Sequence, residues 1–124
     1  MNMLTRRPGE AYRKIELNAR VEASSGQDLT LICLEEVIEA LGQALIAVER
    51  KPDEVPHEAL TRANGIAVWL ASNVAPENPM REAMLQFYGG LATTIARNMR
   101  QTSRDALLRA RGDYVDLLNA AKSG

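Results

Sequence analysis

The chain has 124 residues, 25% charged and 46% hydrophobic but only 4% aromatic, with a formal net charge of −1. That length fits one domain able to bury about two-thirds of its unfolded surface. A single Cys excludes an internal disulfide framework and a Cys-based zinc site, and a single His excludes the multi-histidine metal centres.

The near-neutral balance argues against nucleic-acid binding driven by bulk charge. No run of about 18 apolar residues exists to insert into a membrane. Residues 1–8 carry Arg6 and Arg7 with no apolar run behind them, so no signal-peptide pattern is present and the cytoplasm is the expected compartment. Ala and Leu supply 33 residues (18 and 15), and β-branched residues rarely alternate with polar ones. The dominant pattern is therefore helical.

In chain order, residues 9–21 come first, with Tyr12, Ile15, Leu17 and Val21 at partly helical spacing. This piece is too short to be stable alone, and it is expected to dock as an N-terminal arm (1–24) on a bundle formed by 25–121. The first long helix is expected over 27–50. Ser25 is its N-cap with Asp28 three positions on, and Leu29, Ile32, Cys33, Val37, Leu41, Ala44, Leu45 and Val48 form its apolar stripe. Pro52 ends it.

The second helix is expected over 54–75, with Asp53 as cap, Pro56 in the first turn, and Leu60, Ala63, Ile66, Ala67, Leu70 and Val74 as its stripe. Asn78 and Pro79 start a third helix reaching about residue 101, with Met84, Phe87, Tyr88, Leu91, Ile95 and Met99 on one face. Thr102 and Ser103 break and recap the chain. The fourth helix ends near Ala121, with Leu107, Ala110, Tyr114 and Leu117 on one face and Leu118 alongside. Four helices of about 19 to 24 residues joined by short loops predict an all-α fold, an antiparallel up-down four-helix bundle with a short N-terminal helical arm.

Charge is uneven. Residues 28–58 hold eight acidic side chains against Arg50 and Lys51, whereas 80–124 hold seven basic against four acidic. Solvated helix faces explain this, as would a dipolar surface that orients a partner.

Few side chains here suit catalysis. Glu54 and His57 have the Glu-x-x-His spacing of di-iron bundles, but that chemistry needs a second such motif and two further carboxylates, and there is no second His. A histidine phosphotransfer domain is the other single-His bundle. It wants its His mid-helix with a Lys one turn later, where this chain has Thr61 and Arg62. Cys33 lies on an apolar stripe beside acidic residues, a setting that suppresses the thiolate. Gly42, Gly65, Gly89, Gly90 and Gly112 all fall inside expected helices, each costing about 1 kcal/mol relative to Ala. They fit either tight internal packing or a groove for a partner helix, with Met80, Met84 and Met99 as adaptable lining.

Several patterns occur together in a particular order. Ala11-Tyr12 stands about a dozen residues before Ser24-Ser25, and a Leu-rich helix follows from Leu29 to Leu41 with Ala44 after it. The second helix carries Arg62-Ala63-Asn64-Gly65-Ile66 with Leu70 one turn on, and the third carries Phe87-Tyr88 and a later Asn98. In that order and spacing the chain resembles the flagellin export chaperones from Ala11 to Ala121. It departs from that family at Leu34, Glu35 and Glu36, where an aromatic, an acid and a Gly are usual, and at Ala121, where an aromatic is usual.

The resemblance implies a non-enzymatic cytoplasmic chaperone that needs neither ATP nor metal. It would bind the C-terminal segment of flagellin, prevent premature polymerisation, and present the subunit to the flagellar export gate. The segment would fold into helices in grooves on the bundle. Ile32, Val37, Ala63, Ile66, Tyr88, Leu91 and Ile95 are the candidate groove residues. Tyr12 and Ile15 of the arm either plug the groove in the free state or complete the core. A chaperone-like bundle with another client stays open, as does homo-oligomerisation.

Overall fold

Prolines and two hydrogen-bonded polar side chains set where the helices begin and end. The computed structural model describes the backbone of residues 26–123 and the side chains of 28–123. The arm, with Tyr12 and Ile15, and the Ser25 cap lie outside the described residues. The helices are α1 (Gly26–Arg50), α2 (His57–Ser72), α3 (Arg81–Asn98) and α4 (Arg104–Ser123). The chain divides into two units, Met1–Ile32 and Cys33–Gly124, with the boundary inside α1. The packing described below lies within the second.

The Lys51 N–H donates to Ala47 O at 2.9 Å and completes the last turn of α1 before Pro52. α2 starts at His57 rather than 54, because Pro56 denies helical geometry to Val55. Pro56 itself takes the cap position, and its carbonyl accepts from Leu60 N–H at 3.0 Å. α3 likewise begins two residues after Pro79. Asn78 closes the entry turn, with its Oδ1 accepting from Met80 N–H at 2.8 Å and its backbone oxygen from Arg81 N–H at 3.0 Å. α3 stops at Asn98, and tight i to i+3 bonds wind the next turn. Ser103 Oγ then accepts from Ala106 N–H at 3.2 Å, capping α4 as its residue type predicts.

The described residues form an all-α four-helix bundle with no strand. Its core is the set of expected stripes: Val37, Leu41 and Ala44 from α1, Leu60, Ala63 and Ala67 from α2, Ile95 from α3, and Leu107 and Tyr114 from α4 are all fully buried. α2 and α3 make the most extensive helix-to-helix contact.

α1 and α4 run antiparallel, as three side-chain contacts show. Glu35 meets Lys122 at 3.8 Å, Arg111 Nε donates to Ile38 O at 3.2 Å, and Glu49 meets Arg104 at 3.3 Å. The Arg111 guanidinium crosses α1 at Gly42, where an added Cβ would lie 3.4 Å from Nε. Among the described residues no helix is long and apolar enough to cross a membrane.

Candidate partner-binding surface

The groove residues expected from sequence are interior. Val37, Ala63 and Ile95 are fully buried, and Ile32, Ile66, Tyr88 and Leu91 expose at most 8% of their surface. A partner could touch these seven only by displacing a neighbour that packs over them. Their burial follows from helix geometry. The side chains that make the strongest periodic stripe are the ones that face the core, so a stripe marks the interior before it marks a groove.

The apolar side chains left outside are different residues. Ile46, Val68, Met80, Phe87 and Leu108 expose between 42% and 60% of their surface. Phe87 belongs to the expected α3 face, but it stands out at 43% while adjacent Tyr88 turns inward. Positions 84, 88, 91 and 95 keep strict four-three-four spacing, and 87 lies to one side of that line. Val68 is similarly off the α2 stripe. An apolar residue off its stripe was the sequence signal available for both.

The helical glycines are not close-packing positions. A Cβ at Gly65, Gly89, Gly90 or Gly112 would meet no described atom within 4 Å. Tight packing as their reason is therefore overturned for these four, and they leave open faces on α2, α3 and α4.

The described surface includes two depressions. A shallow one, of about 340 Å³, lies against the C-terminal part of α1, around Gln43, Ile46, Ala47 and Arg50. A longer one, of about 420 Å³, lies between α3 and α4 and holds Arg97 and Arg109. Its end is fixed by Asn98, which is 97% buried. Asn98 Nδ2 donates to Thr94 O at 2.8 Å, its Oδ1 accepts from Ser103 N–H at 2.6 Å, and Thr102 Oγ donates to its backbone oxygen at 2.8 Å.

Beneath the surface, Arg62 of α2 forms an ion pair with Glu36 of α1, both side chains mostly enclosed. Leu34, two residues before Glu36, is core, at 1% exposure. Cys33 is buried, and its thiol is pushed up to about 11 by burial and then by the Glu36 carboxylate. At neutral pH it is a protonated apolar filler. The phenols of Tyr88 and Tyr114 are also raised by burial, and that of Tyr114 further by Tyr88.

His57 is exposed at the first position of α2, and Glu54 is exposed in the loop, where it pairs with Lys51 at 3.7 Å. Among the described residues no three His, Cys, Asp or Glu side chains cluster as a metal site. The arrangement suits contact with another macromolecule: apolar side chains and open glycine faces on a helical frame. No family model, curated protein or solved structure matches the chain.

Proposed function

We propose that the protein is a cytoplasmic export chaperone for flagellin that holds the C-terminal segment of its client and passes it to the export gate. The observation that carries this reading is apolar surface on a helical frame. Val68 on α2 and Phe87 on α3 stand half-exposed, and Gly65, Gly89 and Gly90 on the same two helices leave room above the backbone. The motif order from Ala11 to Ala121 supports it from the side of sequence. A client segment that is disordered when free would fold as amphipathic helices, laying leucines against Phe87 and Val68 and its backbone over the glycines. Covering that face of the client keeps it from polymerising. The work is done by binding alone, through burial of apolar area.

The test is titration calorimetry of the full chain with a flagellin C-terminal peptide. Binding with a negative heat-capacity change and a gain in peptide helicity is expected. No heat together with no co-elution sinks the reading. A second reading, the same frame with a client other than flagellin, is favoured by the Glu36–Arg62 pair where the family has Gly. It predicts that the flagellin peptide fails while the unbound protein is fully folded.

A further inference from the structure

We infer that the groove between α3 and α4 is a docking site for an acidic helical segment of a partner protein, distinct from the apolar surface of α2 and α3. The flagellin reading does not require it.

Two arginines define the site. Arg97 on α3 and Arg109 on α4 line the groove from its two walls. Neither forms an ion pair among the described residues. For Arg97 the reason is local, since the residues three and four away along the chain are Thr93, Thr94, Arg100 and Gln101. For Arg109 it is not. Asp105 and Asp113 lie four residues to either side, the spacing at which helical ion pairs form, yet Arg109 pairs with neither. Two exposed guanidinium groups in one groove, without carboxylates of their own, present ten N–H donors for planar acceptors.

The rest of the groove favours a carboxylate-bearing chain over a free ion. Its floor is Leu91, Ala106 and Ala110, small or apolar and suited to the body of a helix. Along α4 it runs from Ser103 to Asp113, about 15 Å at the helical rise, or some three turns. One small anion fills a fraction of that length. Asp113 makes the far end acidic, so the site has a direction: carboxylates belong near the α3–α4 turn and neutral or basic residues near Asp113. A phosphate-rich polymer would meet that carboxylate and a net charge of −1. The groove is also held in shape, because Asn98 fastens the end of α3 to Ser103 at the start of α4.

The test is a nuclear magnetic resonance titration of the ¹⁵N-labelled full chain. The ligand is a capped alanine-based helical peptide carrying two glutamates four residues apart near its start. Saturable shifts confined to the amides of Asn98, Gln101, Ser103 and Ala106 are expected, absent with the Lys-for-Glu peptide and reversed by about 0.5 M NaCl. R97E/R109E should weaken binding about tenfold or more, and R97Q/R109Q should do so with less change in surface charge. Both variants should melt as the parent does, since the two side chains are exposed. The inference is overturned by no shift, by shifts spread over every arginine-bearing face, or by binding that survives in both variants. Equal shifts from inorganic phosphate alone, or tighter binding of a single-stranded oligonucleotide than of the peptide, also overturn it.

Discussion

Tyr114 carries a hydroxyl into the core that no group among the described residues accepts from or donates to. An unpaired buried hydroxyl costs free energy that a phenyl ring would not. Tyr114→Phe should therefore leave stability unchanged or raise it by up to about 1 kcal/mol in urea unfolding; a clear loss would reveal a partner for that hydroxyl. Burial also ties Tyr114 and Cys33 to pH. Both hold their protons in the folded state at pH values where the unfolded chain releases them. The thiol's contribution is full below its ordinary 9.0 and is lost as pH rises towards the raised value of about 11, whereas that of Tyr114 is full below the phenol's ordinary 10.0 and is lost at higher pH than the thiol's. The urea midpoint should fall between pH 9.0 and about 11, and Cys33→Ala should flatten that slope without abolishing the later loss due to Tyr114. A slope identical in the variant would show that the thiol is not responsible. Glu36 and Arg62 are the opposite kind of pair, each needing the other. Arg62→Ala should cost about 2 kcal/mol, more than an exposed ion pair and less than a fully buried one.

At the scale of the element, the turn between α3 and α4 depends on one amide. Asn98→Ala removes a bond to Thr94 O and the acceptor for Ser103 N–H, and it should destabilise by about 1–3 kcal/mol. The glycines divide into two kinds. Gly65→Ala, Gly89→Ala, Gly90→Ala and Gly112→Ala should each stabilise by about 0.5–1 kcal/mol, because helix propensity improves and nothing is struck. Gly42→Ala should gain less or lose, since Arg111 must yield. Thermal melts of the five single variants would test the division.

The helices themselves were legible in sequence because apolar spacing and breaker residues agree. Ser103 caps where its type predicts, and every stripe reaches the core. The start of α2 moved because a proline constrains the residue before it; the start of α3 moved to Arg81, and the ends of α2 and α3 drew back to Ser72 and Asn98. The identity of the outward apolar residues was less legible, because a stripe has a direction only once neighbouring helices are in place.

For the whole molecule, the difference between Tyr88 and Phe87 separates surface from core. Phe87→Glu with Val68→Glu should leave the circular dichroism spectrum and melting temperature nearly unchanged while weakening flagellin-peptide binding by at least about tenfold. Tyr88→Glu should unfold the protein, since it buries a charge at a site 3% exposed. Unchanged binding in the surface pair would move the client to another face. The candidate site was legible only in outline. Helix content, surplus glycine and the basic second half fit the proposed partner but do not single it out. The meeting of Arg97 with Arg109 depends on how α3 and α4 turn against each other, which no local pattern encodes.

The seam between α1 and α4 also bears on how the chain reaches this state. α2 and α3 are neighbours in sequence and can zip together with little loop closure. Arg111 and Ile38, by contrast, are 73 residues apart, and joining them closes one of the long loops of the described bundle. Contacts of that separation are costly to form before the rest is in place. Arg111→Ala should then speed unfolding while hardly slowing refolding in stopped-flow chevrons, the mark of an interaction made after the barrier. With that outcome, α1 and α4 would be a clasp, closed last in folding and governing how long the native state persists.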